Sequence, residues 1–313
     1  MEFLNLRYFV ETVRQQSVTK AAIRLGIAQP ALTRRIHQLE EELGAPLLLR
    51  HRRGVKPTEA GLIVLERAEL LVRLSDELRN DVAAKTSEPA GQIRFGYPPS
   101  IGNLFVARTI ASYLRRFPLV TFRVDEHFSP TVRDELLAGK IDIGIMTCEA
   151  AHPDLALTPL FSESLWLIGR ADAWPFKNAK SLNPISVAEY PILIASFLRS
   201  VLEKKQPATG FHFQVRVEAD ALTTLREGVR GSIGFLLGPP SSVSQELDSG
   251  EFKGAPVRGL STTRGLFRRR DRPMTTALQE LEKSIFLETE MLMRMYPAMF
   301  KPVDTKKKRP ASR

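Results

Sequence analysis

Apolar residues in the first positions recur at three- and four-residue steps. Phe3, Leu4, Leu6, Phe9, Val10 and Val13 form a stripe that predicts a helix buried along one face. Ser17 then offers a capping hydroxyl, and Ala21, Ala22 and Leu25 mark one side of a short second helix that Gly26 stops. A third stripe, Ala31, Leu32, Ile36, Leu39 and Leu43, starts after Gln29 and Pro30, where a first-turn proline is tolerated, and ends at Gly44. Two helices joined by a short glycine-containing turn make a helix-turn-helix. Residues 47–50 and 55–56 pair as a hairpin around His51, Arg52, Arg53 and Gly54, a basic wing. Thr58 caps the next pattern, with Glu59 in its first turn, and Val64, Ala68, Leu71, Leu74, Leu78 and Val82 continue it. That is a helix of about 27 residues, about 40 Å long. Its single apolar seam has no neighbouring segment to cover it, so a second copy of the chain is expected there.

Ser87, Pro89 and Gly91 break the long helix, and strands then alternate with helices. Ile93, Phe95 and Tyr97 alternate as a strand, residues 104–116 read as a helix, and Val120, Phe122 and Val124 alternate again. A helix over 131–138 precedes a third strand through Ile141, Ile143 and Ile145. Residues 165–169 read as a strand leaving this unit. Residues 192–195, 211–217 and 232–237 read as strands of a second unit, with a helix over 220–229 between the last two. A strand around Leu266 and Phe267 and a helix over 275–295 complete the pattern. Two such halves make an α/β domain of two subdomains, whose ligands bind at the carboxyl ends of the strands, between the halves.

Composition narrows this picture. The 313 residues carry a formal net charge of +10, unevenly placed. Residues 1–58 hold 10 Lys/Arg against 5 Asp/Glu, residues 59–89 hold 4 against 7, residues 90–263 hold 18 against 17, and residues 264–313 hold 13 against 6. A polyanion would meet the two basic ends, and the neutral middle performs a task that needs no net field. One cysteine, Cys148, makes no internal disulfide, and five scattered histidines leave no cluster for zinc. A reducing, cytoplasmic setting fits this usage. No run of about 18 apolar residues occurs and the amino terminus lacks a signal-peptide pattern, so no membrane association is expected.

Several blocks then carry a resemblance. Ala21-Ala22, Leu25, Gln29-Pro30-Ala31-Leu32-Thr33, Ile36, Leu39-Glu40, Leu43-Gly44 and Gly54-Val55-Lys56-Pro57-Thr58-Glu59-Ala60-Gly61 resemble the LysR-type transcriptional regulators. The run from Leu137 to Ile145 fits the family's second domain, and Ile27-Ala28-Gln29-Pro30 looks closest to its nitrogen-assimilation-control branch. The resemblance implies a winged helix-turn-helix over 1–58, a linker and dimerisation helix over 59–88, and a two-lobed effector domain over 90–300 resembling a periplasmic binding protein. A basic tail over 301–313, with Lys306, Lys307, Lys308 and Arg309, lies outside the family pattern. Ala28 departs from the family's usual serine and loses a capping hydroxyl worth about 1 kcal/mol unless Gln29 compensates.

The resemblance places the helix from Gln29 in a major groove. There Gln29, Pro30, Thr33, Arg34 and Gln38 meet base edges or phosphates, while Arg50, Arg52, Arg53 and Lys56 of the wing grip the backbone. It implies double-stranded promoter DNA as partner, assembly as a homodimer or homotetramer, RNA polymerase as a further contact, and a small-molecule effector. Branch kinship raises the alternative of control by abundance without an effector. Ser100, Ile101, Ser129 and Thr131 follow candidate strands, where short hydroxyls and helix amides suit a small carboxylate or similar anion, and Thr147 and Ser196 sit at other strand ends. Ser129 also reads as a helix cap, with Pro130 in the first turn.

Other features read as structural. Cys148 after an apolar strand is expected in the core, His127 and His152 on the surface or in caps, and the methionines from Met291 to Met299 in packing. No glycine-rich phosphate loop, GxSxG elbow or HExxH occurs, so no catalytic residue, cofactor or metal is expected, and a regulator is favoured over an enzyme. A binding module that no longer reads DNA is the remaining rival.

Overall fold

The computed structural model describes residues 1–51, 54–84, 88–148, 152–177, 179–205 and 212–303. The chain divides into two units, Met1–Ser87 and Glu88–Arg313. Arg52 and Arg53 of the expected wing and the basic tail over 304–313 lie outside the described residues.

The first unit consists of α1 (Phe3–Gln15), α2 (Val18–Leu25), α3 (Gln29–Leu43), the hairpin β1 (Leu48–His51) and β2 (Gly54–Pro57), and α4 (Glu59–Ala84). Local chemistry sets the boundaries. The Ser17 hydroxyl accepts from the Lys20 amide at 3.3 Å, and Gly26 and Gly44 end α2 and α3 in the left-handed conformation at φ 67°. Leu6, Phe9, Leu32, Ile36 and Leu39 close the core among the first three helices. Ala28 precedes α3 with extended backbone and no side-chain cap. Gln29 does not replace the cap, because its Oε1 accepts from Thr19 Oγ1 at 3.1 Å instead.

The long helix departs from its expected single seam. Ala68 and Val72 are buried in the core of their own unit, with Val64 and Leu65 packed beside them. A neighbouring face of α4 leaves Ile63, Leu71, Leu74 and Leu78 exposed. Two stripes, slightly rotated, therefore run along one helix, because its amino-terminal half also roofs the small unit.

The second unit contains β3 (Gly91–Tyr97), α5 (Ala107–Arg116), β4 (Val120–Glu126), α6 (Ser129–Leu137), β5 (Ile143–Thr147), β6 (Leu155–Arg170), α7 (Pro184–Val187), β7 (Pro191–Ile194), α8 (Ser196–Lys205), β8 (Gln214–Glu218), α9 (Leu222–Arg230), β9 (Phe235–Gly238), α10 (Ser244–Asp248), β10 (Phe252–Arg269), α11 (Thr276–Met295) and β11 (Phe300–Lys301). A 3₁₀ turn and a π turn over 99–106 lead into α5, where the sequence reads as a helix from Leu104. Strand order is β4-β3-β5-β10-β6-β9-β7-β8, with β11 against β6.

The triplet β3, β4, β5 is parallel, and so is the triplet β7, β8, β9. Between them the antiparallel pair β6 and β10, 16 and 18 residues long, belongs to both halves. The expected short strands at 165–169 and 266–267 are thus fragments of the two longest in the molecule. Pro159, Pro256, Gly254 and Gly259 interrupt their alternation, and the β6–β10 register shifts between Pro256 and Ser261 and again between Arg264 and Gly265. One half packs β3 and β5 against α5 and α11 through Phe95, Tyr113, Ile145, Leu281 and Ile285, with α6 on the opposite face. The other half packs its strands against α8 and α9 through Leu193, Leu202, Leu225 and Val229.

Candidate nucleic-acid interface and ligand cavity

In the first unit, burying Leu32, Ile36 and Leu39 turns the opposite face of α3 outward. Gln29, Pro30 and Arg34 are exposed on it, and Thr33 and Gln38 are half-buried beside them. Neighbouring cations are tied down: Arg35 pairs with Glu2 at 2.6 Å and Arg24 with Glu11 at 2.9 Å. Arg34 and Lys56 have no acidic partner among the described residues, so both stay available to an anion. Arg50 lies on β1 opposite Val55, and Lys56, opposite Leu49 on β2, is exposed.

Sequence reasoning missed what holds the wing. The Glu40 carboxylate on α3 accepts from the amides of Leu47 at 2.8 Å and Leu48 at 3.2 Å, locking the start of β1 to α3. Thr58 Oγ1 accepts from Gly61 N at 2.9 Å, as expected of a cap, and donates to the Pro46 carbonyl at 2.7 Å. The glycines of the Gly54-to-Gly61 block have steric reasons. A Cβ on Gly54 would lie 2.3 Å from the Gln16 carbonyl oxygen, and one on Gly61 would lie 2.1 Å from the Leu47 carbonyl oxygen. Gly54 also sits at φ 133°, where side-chain-bearing residues are strained.

In the second unit, the carboxyl ends of all six parallel strands converge on one cavity of about 60 Å³. Pro98 to Ser100 follow β3, Phe128 and Ser129 follow β4, and Thr147 ends β5; from the other half come Phe197, Leu222 and Gly238 after β7, β8 and β9. About 60 Å³ is room for about two waters, and the cavity is partly open to solvent, so a compact ligand seats its polar end inside and a longer body follows the open side. The walls carry seven leucines and two phenylalanines, with six serine and threonine residues and Arg264 among them.

The expected ligand residues separate here. Ser100, Ser129 and Thr147 line the cavity. Ile101 turns away into the core, fully buried against the β-sheet side. Thr131 is exposed on the outside of α6, two residues past the cavity-lining Ser129. Ser196 opens α8 beyond the wall, its amide donating to Asp220 Oδ1 at 3.2 Å. Ser129 is not a cap: it is the first residue of α6, Phe128 takes the cap position without a side-chain bond, and the Ser129 hydroxyl accepts from the Thr147 amide at 3.0 Å. That bond ties α6 to the end of β5.

The charged groups of the cavity region were also missed, because they come from the two long strands. Arg264 on β10 is only 5% exposed; its Nη1 donates to Thr147 Oγ1 at 2.6 Å and its Nη2 to Ser100 Oγ at 2.9 Å. Its Nε is buried with no hydrogen-bond partner. Burial pushes this guanidinium below its ordinary pKa, and the negative charge of Glu163 pushes back. Glu163 on β6 is fully buried; Oε1 accepts from the Ser241 amide at 3.1 Å and Oε2 has no partner. Burial raises its pKa, with Arg264 and Ser241 pulling it down.

Cys148 is half-buried, its sulfur packed beside Gly265. Among the described residues no group of His, Cys, Asp and Glu is placed to hold a metal ion. The His152 ring nitrogen accepts from the Asp154 amide at 3.2 Å, a turn-capping role, and the exposed His127 ring lies 3.9 Å from Glu135. Of the methionine-rich stripe, Leu292 and Met299 are buried, whereas Met291 and Met295 are exposed.

Comparison with known proteins follows this division. Residues 3–62 match the bacterial regulatory helix-turn-helix protein, lysR family, and residues 86–285 match the LysR substrate binding domain. The chain is similar to the HTH-type transcriptional regulator YusT of Bacillus subtilis, 29% identical over 82% of this chain and 85% of that one. It is also similar to the nitrogen assimilation regulatory protein nac of Klebsiella aerogenes, 28% identical over 77% and 79%. Among solved structures, a full-length OxyR variant from Pseudomonas aeruginosa shares the fold at a TM-score of 0.70 and 24% identity, covering 92% of this chain and 98% of that one. Full-length BenM does so at 0.56 and 25%, covering 97% and 100%.

Proposed function

This chain belongs to the LysR family of DNA-binding transcriptional regulators and carries that family's effector-binding domain, and on this premise we propose how its own residues divide the work. α3 enters a major groove of promoter DNA with Gln29, Pro30, Thr33, Arg34 and Gln38 toward the bases. The wing, through Lys56 with Arg50, Arg52 and Arg53, holds the phosphate backbone. The observation that carries this reading is the outward face of α3, where Arg34 has no acidic partner among the described residues while Arg35 is paired with Glu2.

A small molecule in the cavity of the second unit biases how the two α/β halves close, and through them the spacing of the bound half-sites. The exposed stripe Ile63, Leu71, Leu74 and Leu78 on α4 supports pairing with a second copy, giving a homodimer or a pair of dimers. Domain limits of 1–58, 59–88 and 90–300, with a basic tail over 301–313, follow from the same reading. Promoter DNA and RNA polymerase as partners place the protein in the cytoplasm. Among the described residues no helix is long and apolar enough to cross a membrane.

Binding to the DNA upstream of its own gene, followed by fluorescence anisotropy across a salt series, tests the division. Gln29→Ala and Thr33→Ala are expected to cost about 1–3 kcal/mol on the specific site and little on random duplex. Lys56→Ala is expected to weaken both alike and to lower the salt slope by about 1. Equal losses on both duplexes for all three variants would overturn the assignment.

A further inference from the structure

Six serine and threonine residues line the cavity, and three of them, Ser100, Ser129 and Thr147, gather with one guanidinium at the carboxyl ends of β3, β4 and β5. Arg264 reaches it from β10, at the point where the register against β6 shifts. Two of its nitrogens are bound by Thr147 and Ser100, which fixes the plane of the guanidinium, while the buried Nε has no partner. A buried N–H donor left unbonded is costly, and an acceptor from outside the protein, a ligand or a water, removes that cost. Fixing the fork in advance also removes the entropy that a free arginine loses on binding.

The opposite wall has no matching charge. Phe197, Leu198, Val201 and Leu202 of α8 and Leu222 and Leu225 of α9 line the cavity from the other half. A second anionic group placed there would lose its hydration with no cationic donor among the lining residues of that half. Glu163, the one buried carboxylate near Arg264, holds its Oε1 on the Ser241 amide, so it stabilises the guanidinium through space and leaves the Nε donor open.

Building on the reading that this cavity takes an effector, we propose that its ligand is a compact monocarboxylate with an apolar body. The carboxylate is received by Arg264 together with the Ser100, Ser129 and Thr147 edge, and the carbon chain lies against α8 and α9. A planar oxyanion matches the fixed fork, and its hydrocarbon remainder matches the leucine wall. Because Arg264 sits on a strand shared by both halves, while its hydroxyl partners belong to one half and the apolar wall to the other, such a ligand spans the cleft that closes.

The test uses the full-length protein and titration calorimetry with sodium hexanoate, hexanamide, hexylamine and sodium adipate, alongside binding to its upstream DNA. Hexanoate is expected to bind, with the amide, the amine and the dicarboxylate at least 10-fold weaker. Arg264→Gln is expected to weaken hexanoate about 10- to 100-fold. Should that variant fail to fold, the order of the four probes on the unaltered protein still decides. Hexanamide or hexylamine binding as tightly as hexanoate would overturn the anion and leave the cavity an effector site. Silence toward all four probes with specific DNA binding intact would overturn the monocarboxylate. Loss of specific DNA binding itself would overturn the regulator's assigned contacts instead.

Discussion

The recognition unit wears its chemistry outside, and the ligand unit buries it. On α3 the residues assigned to DNA stand on the solvent side of a helix whose other side is core, so changing them is expected to cost binding and to leave the core intact. Around the cavity, Ser100, Thr147 and Arg264 are both cavity-lining and structural, since each already bonds another. A surface reader can change specificity freely, whereas a buried sensor shares its residues with the packing of the halves it controls.

The largest effects test whether the two cores are separate. Leu39 and Leu281 are both fully buried, one in each unit. Truncation to alanine is expected to cost about 2–5 kcal/mol in each case. Leu39→Ala should abolish DNA binding while hexanoate still binds, and Leu281→Ala should do the reverse. Differential scanning calorimetry checks this by which transition moves, and a joint shift of both transitions would break the division. Smaller, and confined to the first unit, is Gly61→Ala. Its Cβ would meet the Leu47 carbonyl oxygen, a backbone atom, so α4 or the hairpin must shift at about 1–3 kcal/mol. Specific DNA affinity should fall with it, because the same segment carries the Glu40 bonds that orient the wing.

How much could be read beforehand follows the same contrast. The first three helices, the hairpin and the glycine stops are encoded by contacts three or four residues apart, and the reading of a short second helix capped by Ser17 and stopped at Gly26 holds to the residue. The seam of α4 misled because one helix carries two apolar stripes, and periodicity alone does not assign Ala68 to the unit's own core and Leu71 to solvent. In the ligand unit the parallel strands alternate and were legible. β6 and β10 were not, since proline, glycine and two register shifts break their pattern. With β10 went Arg264, 117 residues from Thr147 along the chain and 164 from Ser100, so no local motif announces their meeting. Ser129 illustrates the same limit: a serine before a proline reads as a cap, but the cavity-end bond to Thr147 takes its hydroxyl.

The pH dependence separates the units further. Burial holds the Glu163 carboxyl above its ordinary value of 4.5, so the native state keeps a proton that the unfolded chain has released. Between the two values the native state binds more protons, and stability therefore falls as pH rises from about 4.5 through the native value. Glutamine has no such proton. Urea denaturation of Glu163→Gln across that window should show a less negative slope than the unaltered protein. The arginine stays charged in both and shifts only the offset. Equal slopes would mean that Glu163 is ionised in the native state at acid pH.

The finest test applies one change to both units. Ala28 and Phe128 each precede a helix with extended backbone, each is followed two residues later by proline, and neither caps its helix. In either position a serine hydroxyl can accept from the amide three residues on, Ala31 or Thr131. Ala28 is exposed and touches no cavity, so Ala28→Ser should stabilise the first unit by about 1 kcal/mol in melts taken without DNA. Phe128→Ser gains the same bond but removes an aromatic side of the cavity. Lost burial of roughly 1.5–3 kcal/mol outweighs the cap, so the second unit should melt lower and hexanoate should bind more weakly. Were both serines to stabilise equally, the cavity wall would carry no share of the packing, and the contrast between an outward reader and a buried sensor would fail at the residue where it is sharpest.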